Sequence, residues 1–296
     1  MTKHSIAKLL VLTTGILAMP ALSMAGTEMK ESKEVKAVVE AAKESWITGD
    51  IGVAVVSEYV SRGLVLENQG VIGQPYLDLY FKLYEGTGFI NKVTLNFGLW
   101  SSIHSHEQAM GGTTDAWYEF DYTPGIAVTF AKRFTATASY FEFDSPSDNL
   151  NTARRVNINL AYDDTDFLGA FALHPHATVL WEIGAPGFAG LGAHGWYYEV
   201  GVAPSHAFGP VTVTVPLTVG LGDTRFYAGD NYGYASAGIN FSTPLSFIPT
   251  KWGVWTVSAG YTYYDLGNTL QAFSQSTQGN GSENQHVFSG SVGLTF

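Results

Sequence analysis

From Val211 to Val219 the chain reads Val-Thr-Val-Thr-Val-Pro-Leu-Thr-Val, with every odd position aliphatic and every even one hydroxylated or proline. Successive side chains of a strand point to opposite faces, so such a segment meets an apolar medium on one side only. The pattern recurs. Val93, Leu95, Phe97 and Leu99 alternate with Lys92, Thr94, Asn96 and Gly98; Leu77, Leu79, Phe81 and Leu83 alternate with Tyr76, Asp78, Tyr80 and Lys82. Val156, Ile158, Leu160 and Tyr162 oppose Arg155, Asn157, Asn159 and Asp163. Twelve such runs are predicted, near 51–60, 74–84, 92–101, 115–122, 133–143, 153–163, 170–182, 194–203, 211–221, 232–243, 253–264 and 286–296. Most have the ~9 to 11 residues that a tilted transmembrane strand requires.

The connections alternate as well. Odd-numbered gaps are Gly-, Asn- and Ser-rich loops such as 268–284, and even-numbered gaps are tighter, as at Thr123-Pro124-Gly125 and 205–210. An even strand count with long loops at one rim and short turns at the other is the arrangement of an outer-membrane antiparallel β-barrel, all-β in class, with both chain ends periplasmic. Ile126 to Phe130 either extends a strand or forms an extra one, so fourteen strands stand as the alternative to twelve. Pro244 and Pro249 mark a stiff link at 244–252 rather than a span.

Residues 1–25 read as a secretory signal peptide: Lys3 and Lys8, an uncharged run from Leu9 to Ala18, then Ser23-Met24-Ala25, with cleavage expected between Ala25 and Gly26. Residues 26–48 hold five Glu and four Lys, with Val35, Val38, Val39, Ala42 and Trp46 at helical spacing. They are predicted to form a short charged periplasmic helix or tether before a barrel spanning 49–296. The longest stretch without Asp, Glu, Lys or Arg after the signal, Val200 to Gly222, contains three prolines and cannot be a spanning helix.

Composition narrows the functions. The absence of cysteine removes thiol catalysis and Cys-ligated metal centres. With 15 basic against 26 acidic residues, phosphate-driven nucleic-acid binding is excluded as the main task. G-x-S-x-G, H-E-x-x-H, P-loop and dinucleotide fingerprints are missing, and no residue is assigned a catalytic, cofactor or metal role. His174 and His176 would point into the lumen beside Thr178 and Glu182 without a third ligand spaced to join them. His104, His106 and Glu107 form a second cluster, placed in the second long loop.

The last strand ends Phe288, Gly290, Val292, Leu294, Phe296 on one face, which resembles the C-terminal insertion signal read by the barrel-assembly machinery. Trp100, Trp181, Trp196, Trp255, Tyr261 and Tyr263 fall toward strand ends, where amphipathic rings favour the headgroup level. Ser57-Glu58-Tyr59-Val60-Ser61-Arg62-Gly63, placed in the first strand, is similar to the Ser-Asp-Tyr-x-x-Arg-Gly opening of the TorF-type porins, with Glu58 where Asp is commoner. The resemblance rests on Ser57, Tyr59, Arg62 and Gly63, and implies passive diffusion of small solutes without naming one.

On this register the pore-lining residues are Glu58, Tyr76, Asp78, Tyr80, Lys82, Lys92, Glu119, Asp121, Arg155, Asn157, Asn159 and Glu199. Tyr84, Trp117 and Tyr197 are expected to narrow the passage. With Asp163 and Glu182 added, acids outnumber bases, which predicts weak cation preference. The expected function is a porin-like outer-membrane channel for small hydrophilic solutes or ions. The alternatives are a barrel enzyme of lipase or protease type using His104 or His174, and a closed structural barrel or adhesin. The implied partners are outer-membrane lipid, the assembly machinery and small solutes; a homo-oligomer is compatible with this reading.

Overall fold

The computed structural model describes residues 45–106, 108–109, 112–113, 116–147, 152–184 and 194–296. The expected signal peptide and all but the last four residues of the charged segment lie outside this range. Of those four, Ile47 and Thr48 already belong to the first strand. Among the described residues no helix is long and apolar enough to cross a membrane.

Twelve antiparallel staves close into a barrel. They are β1 (Ile47–Val56), β4 (Ile72–Glu85), β5 (Ile90–His104), β8 (Trp117–Phe130), β9 (Phe134–Asp144), β10 (Ala153–Tyr162), β11 (His176–Glu182), β12 (Trp196–Val202) continued by β13 (Ser205–Phe208), β14 (Val211–Thr214) continued by β15 (Leu217–Gly222), β16 (Tyr232–Pro244), β17 (Val254–Leu266) and β18 (Asn284–Thr295). Two small hairpins, β2 (Tyr59–Ser61) with β3 (Leu64–Glu67) and β6 (Gln108–Ala109) with β7 (Gly112–Thr113), lie outside this sheet. The ring closes where β1 pairs with both β4 and β18. Gly49 and Phe296 exchange backbone hydrogen bonds at 2.9 Å each, tying the chain's end to the first stave.

Each stave keeps one face in and one out. In β10, Arg155, Asn157 and Asn159 are buried while Arg154, Ile158 and Leu160 are exposed. Prolines are absorbed where the ladder can spare a donor. Pro124 lies inside β8 rather than in a turn, and pairing with β9 passes from Tyr122–Glu142 to Gly125–Ser139 without a partner for 123 or 124. The expected turn at 123–125 is therefore strand, the real turn falls at 131–133, and no extra strand arises. Pro204 and Pro216 split two staves, yet Val215 N–H reaches Pro204 O and Gly238 N–H reaches Pro216 O, so the carbonyls stay paired.

Other boundaries move. The first stave ends at Val56, not 60. The run expected from 170 begins at His176, because 163–175 form a folded link with a short helix α1 (Thr165–Leu168). The 205–210 link is largely β13, turning at Gly209. The 268–284 loop contains helix α2 (Asn268–Gln278). The expected alternation of connection types holds only in part: short links join β4–β5 and β8–β9 at one rim, the turn rim, where both described chain ends lie, but the 163–175 and 245–253 links at that rim are as long as several connections at the other. The longer connections after β1, β5, β9, β11, β15 and β17 gather at the loop rim.

Small residues let the seam close. Gly52 and Gly293 face each other across β1 and β18, and Tyr76 of β4 lies over both. A Cβ at Gly52 would sit 2.6 Å from Val292 O and 2.7 Å from Tyr76 Oη. Gly290 has nothing nearer than 3.9 Å. Gly52→Val is expected to lower the unfolding free energy by about 1 to 3 kcal/mol, as overpacking against backbone does, and Gly290→Val to change it little. Urea unfolding in detergent measures both; equal midpoints for the two variants would contradict this packing.

Candidate functional site

The interior divides into two halves. Toward the turn rim the inward side chains are small or polar, among them Thr94, Asn96, Thr135, Thr137, Asn159, Thr214, Asn240 and Ser258. Half-buried Asp50, Asp78, Tyr80, Lys82 and Lys92 join them. Asp50 and Asp78 are cross-strand partners. Lys82 pairs with Glu85 at 2.8 Å and lies over the Trp46 ring, which draws it to the rim. Asn159 donates to Thr178 Oγ1 at 3.0 Å.

Toward the loop rim the interior is packed shut. The β2–β3 hairpin does not continue the first stave. It turns into the barrel, and Tyr59, Val60, Ser61, Arg62, Leu64, Val65, Leu66 and Glu67 are all buried. Its two-residue turn is Arg62-Gly63, both at positive φ (49° and 82°), the conformation that matches hairpin twist and that glycine adopts without steric cost. Each residue of the Ser-x-Tyr-x-x-Arg-Gly motif has a place here. Ser57 exchanges hydrogen bonds with the Phe288 backbone, through its own N–H and its Oγ, at 2.9 Å each, ending β1. Tyr59 Oη donates to Glu119 Oε2 at 2.6 Å. Arg62 and Gly63 make the turn.

The hairpin meets a wall of charge. Glu119 and Asp121 of β8, Arg155 of β10 and Glu182 of β11 are buried on the inward face. Arg155 Nε lies 3.5 Å from Glu182 Oε1. The Arg62 and Arg155 guanidinium groups stand 5.9 and 5.5 Å from the Phe141 ring centroid, within cation–π reach of one aromatic ring. Beside them Tyr197 and Tyr234 both donate to Glu199.

The predicted lining residues therefore separate. Tyr76, Asp78, Tyr80, Lys82 and Lys92 sit on inward positions of β4 and β5, and Asn157 and Asn159 on β10. Glu119, Asp121, Arg155 and Glu199 face inward but beneath the hairpin. Glu58 is not on a stave at all; it lies between β1 and β2, with Oε2 buried. Trp117 and Tyr84 do not constrict the interior, since both are exposed and about half accessible (49% and 47%). A bulge in each neighbouring ladder shifts their parity. Tyr197 is buried inside. Trp100, expected in an outer belt, instead packs on Tyr59 inside, 5.5 Å between ring centroids. Phe288, Val292 and Phe296 of the expected insertion signal are exposed on the outer face.

The histidines also relocate. His104 is not in a loop; it ends β5, buried and stacked on Tyr118 at 4.5 Å, with Nε2 2.8 Å from Ser102 Oγ. Its Nδ1 is 4.0 Å from Glu67 Oε2, too far for a hydrogen bond. Glu67 Oε1 already accepts the Asn68 and Gln69 N–H groups, and Oε2 contacts His106. Ser102, His104 and Glu67 thus form a buried polar group under the hairpin. Glu107 lies outside the described residues.

His174 does not point into the lumen with His176. It sits in the β10–β11 link at positive φ, its Nδ1 3.8 Å from Asp163 and 3.7 Å from Asp164. Asp163, Asp164 and His174 are grouped closely enough for a metal ion. The carboxylate oxygens of Asp164 already accept the Leu173 and His174 N–H groups at 2.9 Å each, and Asp163 accepts from Thr165. They act as staples of the link.

Burial alone would raise the Asp164 carboxyl, but these backbone N–H bonds hold it below the usual carboxylate value. With the folded value below the unfolded one of about 3.9, the unfolded chain binds more protons in acid. The stabilisation is therefore present above about pH 4 and lost as pH falls through the folded value. Asp164→Ala is expected to cost about 1 to 3 kcal/mol at neutral pH and to flatten the acid limb of the stability profile. Denaturant midpoints across pH 2 to 7 test this, and an unchanged acid limb would contradict it.

No family model matches this chain, and no curated protein matches it. Solved structures resemble it in fold. An outer-membrane channel of Pseudomonas putida F1 is 11% identical, with 84% of this chain and 95% of that one covered and a TM-score of 0.49. The NanC porin is 10% identical over 83% of this chain and all of its own, at 0.44. The outer-membrane channel DcaP of Acinetobacter baumannii is 12% identical over 84% and 96%, at 0.38. At such identities the function must be read from this chain's own residues.

Proposed function

We propose that this protein is an outer-membrane channel, of the TorF-type porin group, that passes small hydrophilic solutes or ions by passive diffusion with weak preference for cations. The observation that carries the reading is the contrast between the two faces of one closed sheet. Outside, Ile51, Val53, Leu95, Phe97, Ile126, Ile158, Leu160, Val200, Leu217, Val219, Ile239, Phe241 and Val257 are all exposed. They come from staves all round the ring, an apolar band far beyond what a water-facing surface tolerates. Inside, the same staves carry hydroxyls, amides and charges.

Aromatic side chains edge the band, as at a membrane–water interface. Phe89, Phe208, Phe247 and Trp252 are exposed near the turn rim. Trp181 and Trp196 stack at 5.6 Å toward the loop rim. With the short turns on the periplasmic side, both chain ends of the barrel domain face the periplasm, where the expected signal peptide would deliver the chain. Lipid solvates the band, and the assembly machinery would read the outward Phe288, Val292, Leu294 and Phe296.

Among the described residues the inward charges are Asp50, Asp78, Glu119, Asp121, Glu182 and Glu199 on the staves and Glu67 on the hairpin, against Lys82, Lys92 and Arg155 on the staves and Arg62 on the hairpin. Of the four bases, Arg155 is paired with Glu182 and Lys82 with the rim residue Glu85. The surplus carboxylates near the turn-rim mouth, Asp50 and Asp78, favour cations in a narrow passage. In planar bilayers under a potassium chloride gradient, the reversal potential is expected to take the sign of cation selectivity, and Asp50→Asn with Asp78→Asn to move it toward zero. Anion selectivity of the unmodified protein would contradict the proposed preference.

A further inference from the structure

We propose that the β2–β3 hairpin, Tyr59 to Glu67, is a gate folded into the barrel: the structure shows its closed state, and passage requires the hairpin to withdraw from the lumen. The inference rests on the channel reading above and adds where and how that channel is shut.

The hairpin reaches across the interior from one wall to the other. On its way in, Tyr59 bonds Glu119 of β8 and packs on Trp100 of β5. At the tip, the Arg62 guanidinium stands over Phe141 of β9 and, at 5.8 Å, Tyr197 of β12. The Arg62 carbonyl accepts from Tyr227, in the β15–β16 connection, at 3.0 Å. Beyond the tip, a Cβ at Gly63 would lie 2.5 Å from Leu270 of α2 and 3.1 Å from Tyr234 of β16. On the way out, the Leu66 carbonyl accepts from Gln278 of α2 at 2.8 Å. Inward surfaces of five staves and the α2 loop thus close on one short element, and no residue of the hairpin strands keeps more than 3% of its surface.

Two properties distinguish a gate from a permanent core. Among the described residues β2 and β3 pair with each other and with no stave, so the hairpin can leave without breaking the barrel's backbone ladders. Its seat is also compromised. Among the described residues the Nε of Arg62 is buried without an acceptor, and the carboxyl groups of Glu119 and Asp121 are buried side by side, one bonded to the other. Withdrawal would hydrate Arg62, Glu119 and Asp121 together, repaying part of the apolar contact it gives up. The closed state is then held by the apolar packing of Val60, Leu64, Val65 and Leu66 together with the Tyr59–Glu119 and Tyr227–Arg62 hydrogen bonds, the two contacts that single-atom substitutions can remove.

The chain has no cysteine, so one can be introduced cleanly. The test records bilayer conductance of the full protein, of a form with residues 59–67 replaced by a short Gly-Ser link, and of Tyr59→Phe with Tyr227→Phe. Alongside, Ser61→Cys is reacted with a membrane-impermeant thiol reagent in the parent and double-Phe backgrounds. The gate predicts a several-fold larger conductance without the hairpin. It also predicts raised mean conductance in the double-Phe protein, and modification of Ser61→Cys about tenfold faster there, as loss of two ordinary hydrogen bonds implies. Equal conductance with and without the hairpin would overturn the gate while leaving a channel in place. A folded barrel that conducts in no form, the hairpin-less one included, would overturn the channel reading and the gate with it. If the hairpin-less form fails to fold, unchanged conductance and unchanged labelling in the double-Phe background overturn the gate by themselves.

Discussion

The structure depends on one closure: every stave of the sheet finds a partner on both sides, and the last finds the first. An open sheet of this composition would present unpaired N–H and C=O groups at its edges, and in hydrocarbon nothing could satisfy them. Reciprocal bonds between Gly49 and Phe296 and the β1–β18 register remove that edge. The seam is tight because Gly52 and Gly293 carry no side chain where Tyr76 crosses. Once the ring is shut, the alternation of side chains becomes an alternation of media, apolar outside and polar within. Both the apolar outer band and the polar interior of the turn-rim half follow from it.

Closure also explains where the hydrophobic core went. A barrel that turns its aliphatic side chains outward has little left to pack inside. The buried apolar residues here gather at one end: Val60, Leu64, Val65 and Leu66 of the hairpin against Phe141, Phe143, Leu180, Tyr197, Tyr234 and Leu270. That cluster is built around an inserted element rather than around the sheet, and it leaves the turn-rim half to hydroxyls and amides. The protein therefore has a dry end and a polar end, and any account of transport must pass through the first.

Period-two patterning made the staves and their count legible, because each stave is wet on one side only. Inward assignments such as Asp78, Lys92, Arg155 and Asn157 came from parity alone. Parity failed at Tyr84 and Trp117, where ladder bulges shift the count by one. Pro124 reads as a turn because proline lacks a donor, and it is strand because a local gap in the β8–β9 pairing needs none there. The hairpin was illegible for a different reason. The run expected at 51–60 takes in Ser57 to Val60 because Tyr59 and Val60 favour strand, although Ser57 and Ser61 stand where β1 would carry aliphatics. The signal that could have revealed it is Arg62-Gly63, a pair suited to a two-residue turn, set in the middle of an apolar run. Spacing alone puts His104 in a loop and His174 on a strand, whereas burial and link geometry fix their partners.

Cysteine-free sequence makes the central claim directly measurable. Spin labels placed singly at each position from 153 to 162 in protein reconstituted into vesicles report contact with oxygen, which concentrates in lipid, and with a polar nickel complex, which stays in water. The account predicts strict alternation, with Arg154, Val156, Ile158 and Leu160 positions oxygen-accessible and 155, 157 and 159 not. Loss of the two-residue period, or nickel access at 156, 158 and 160, would mean that this face does not meet lipid and would contradict it.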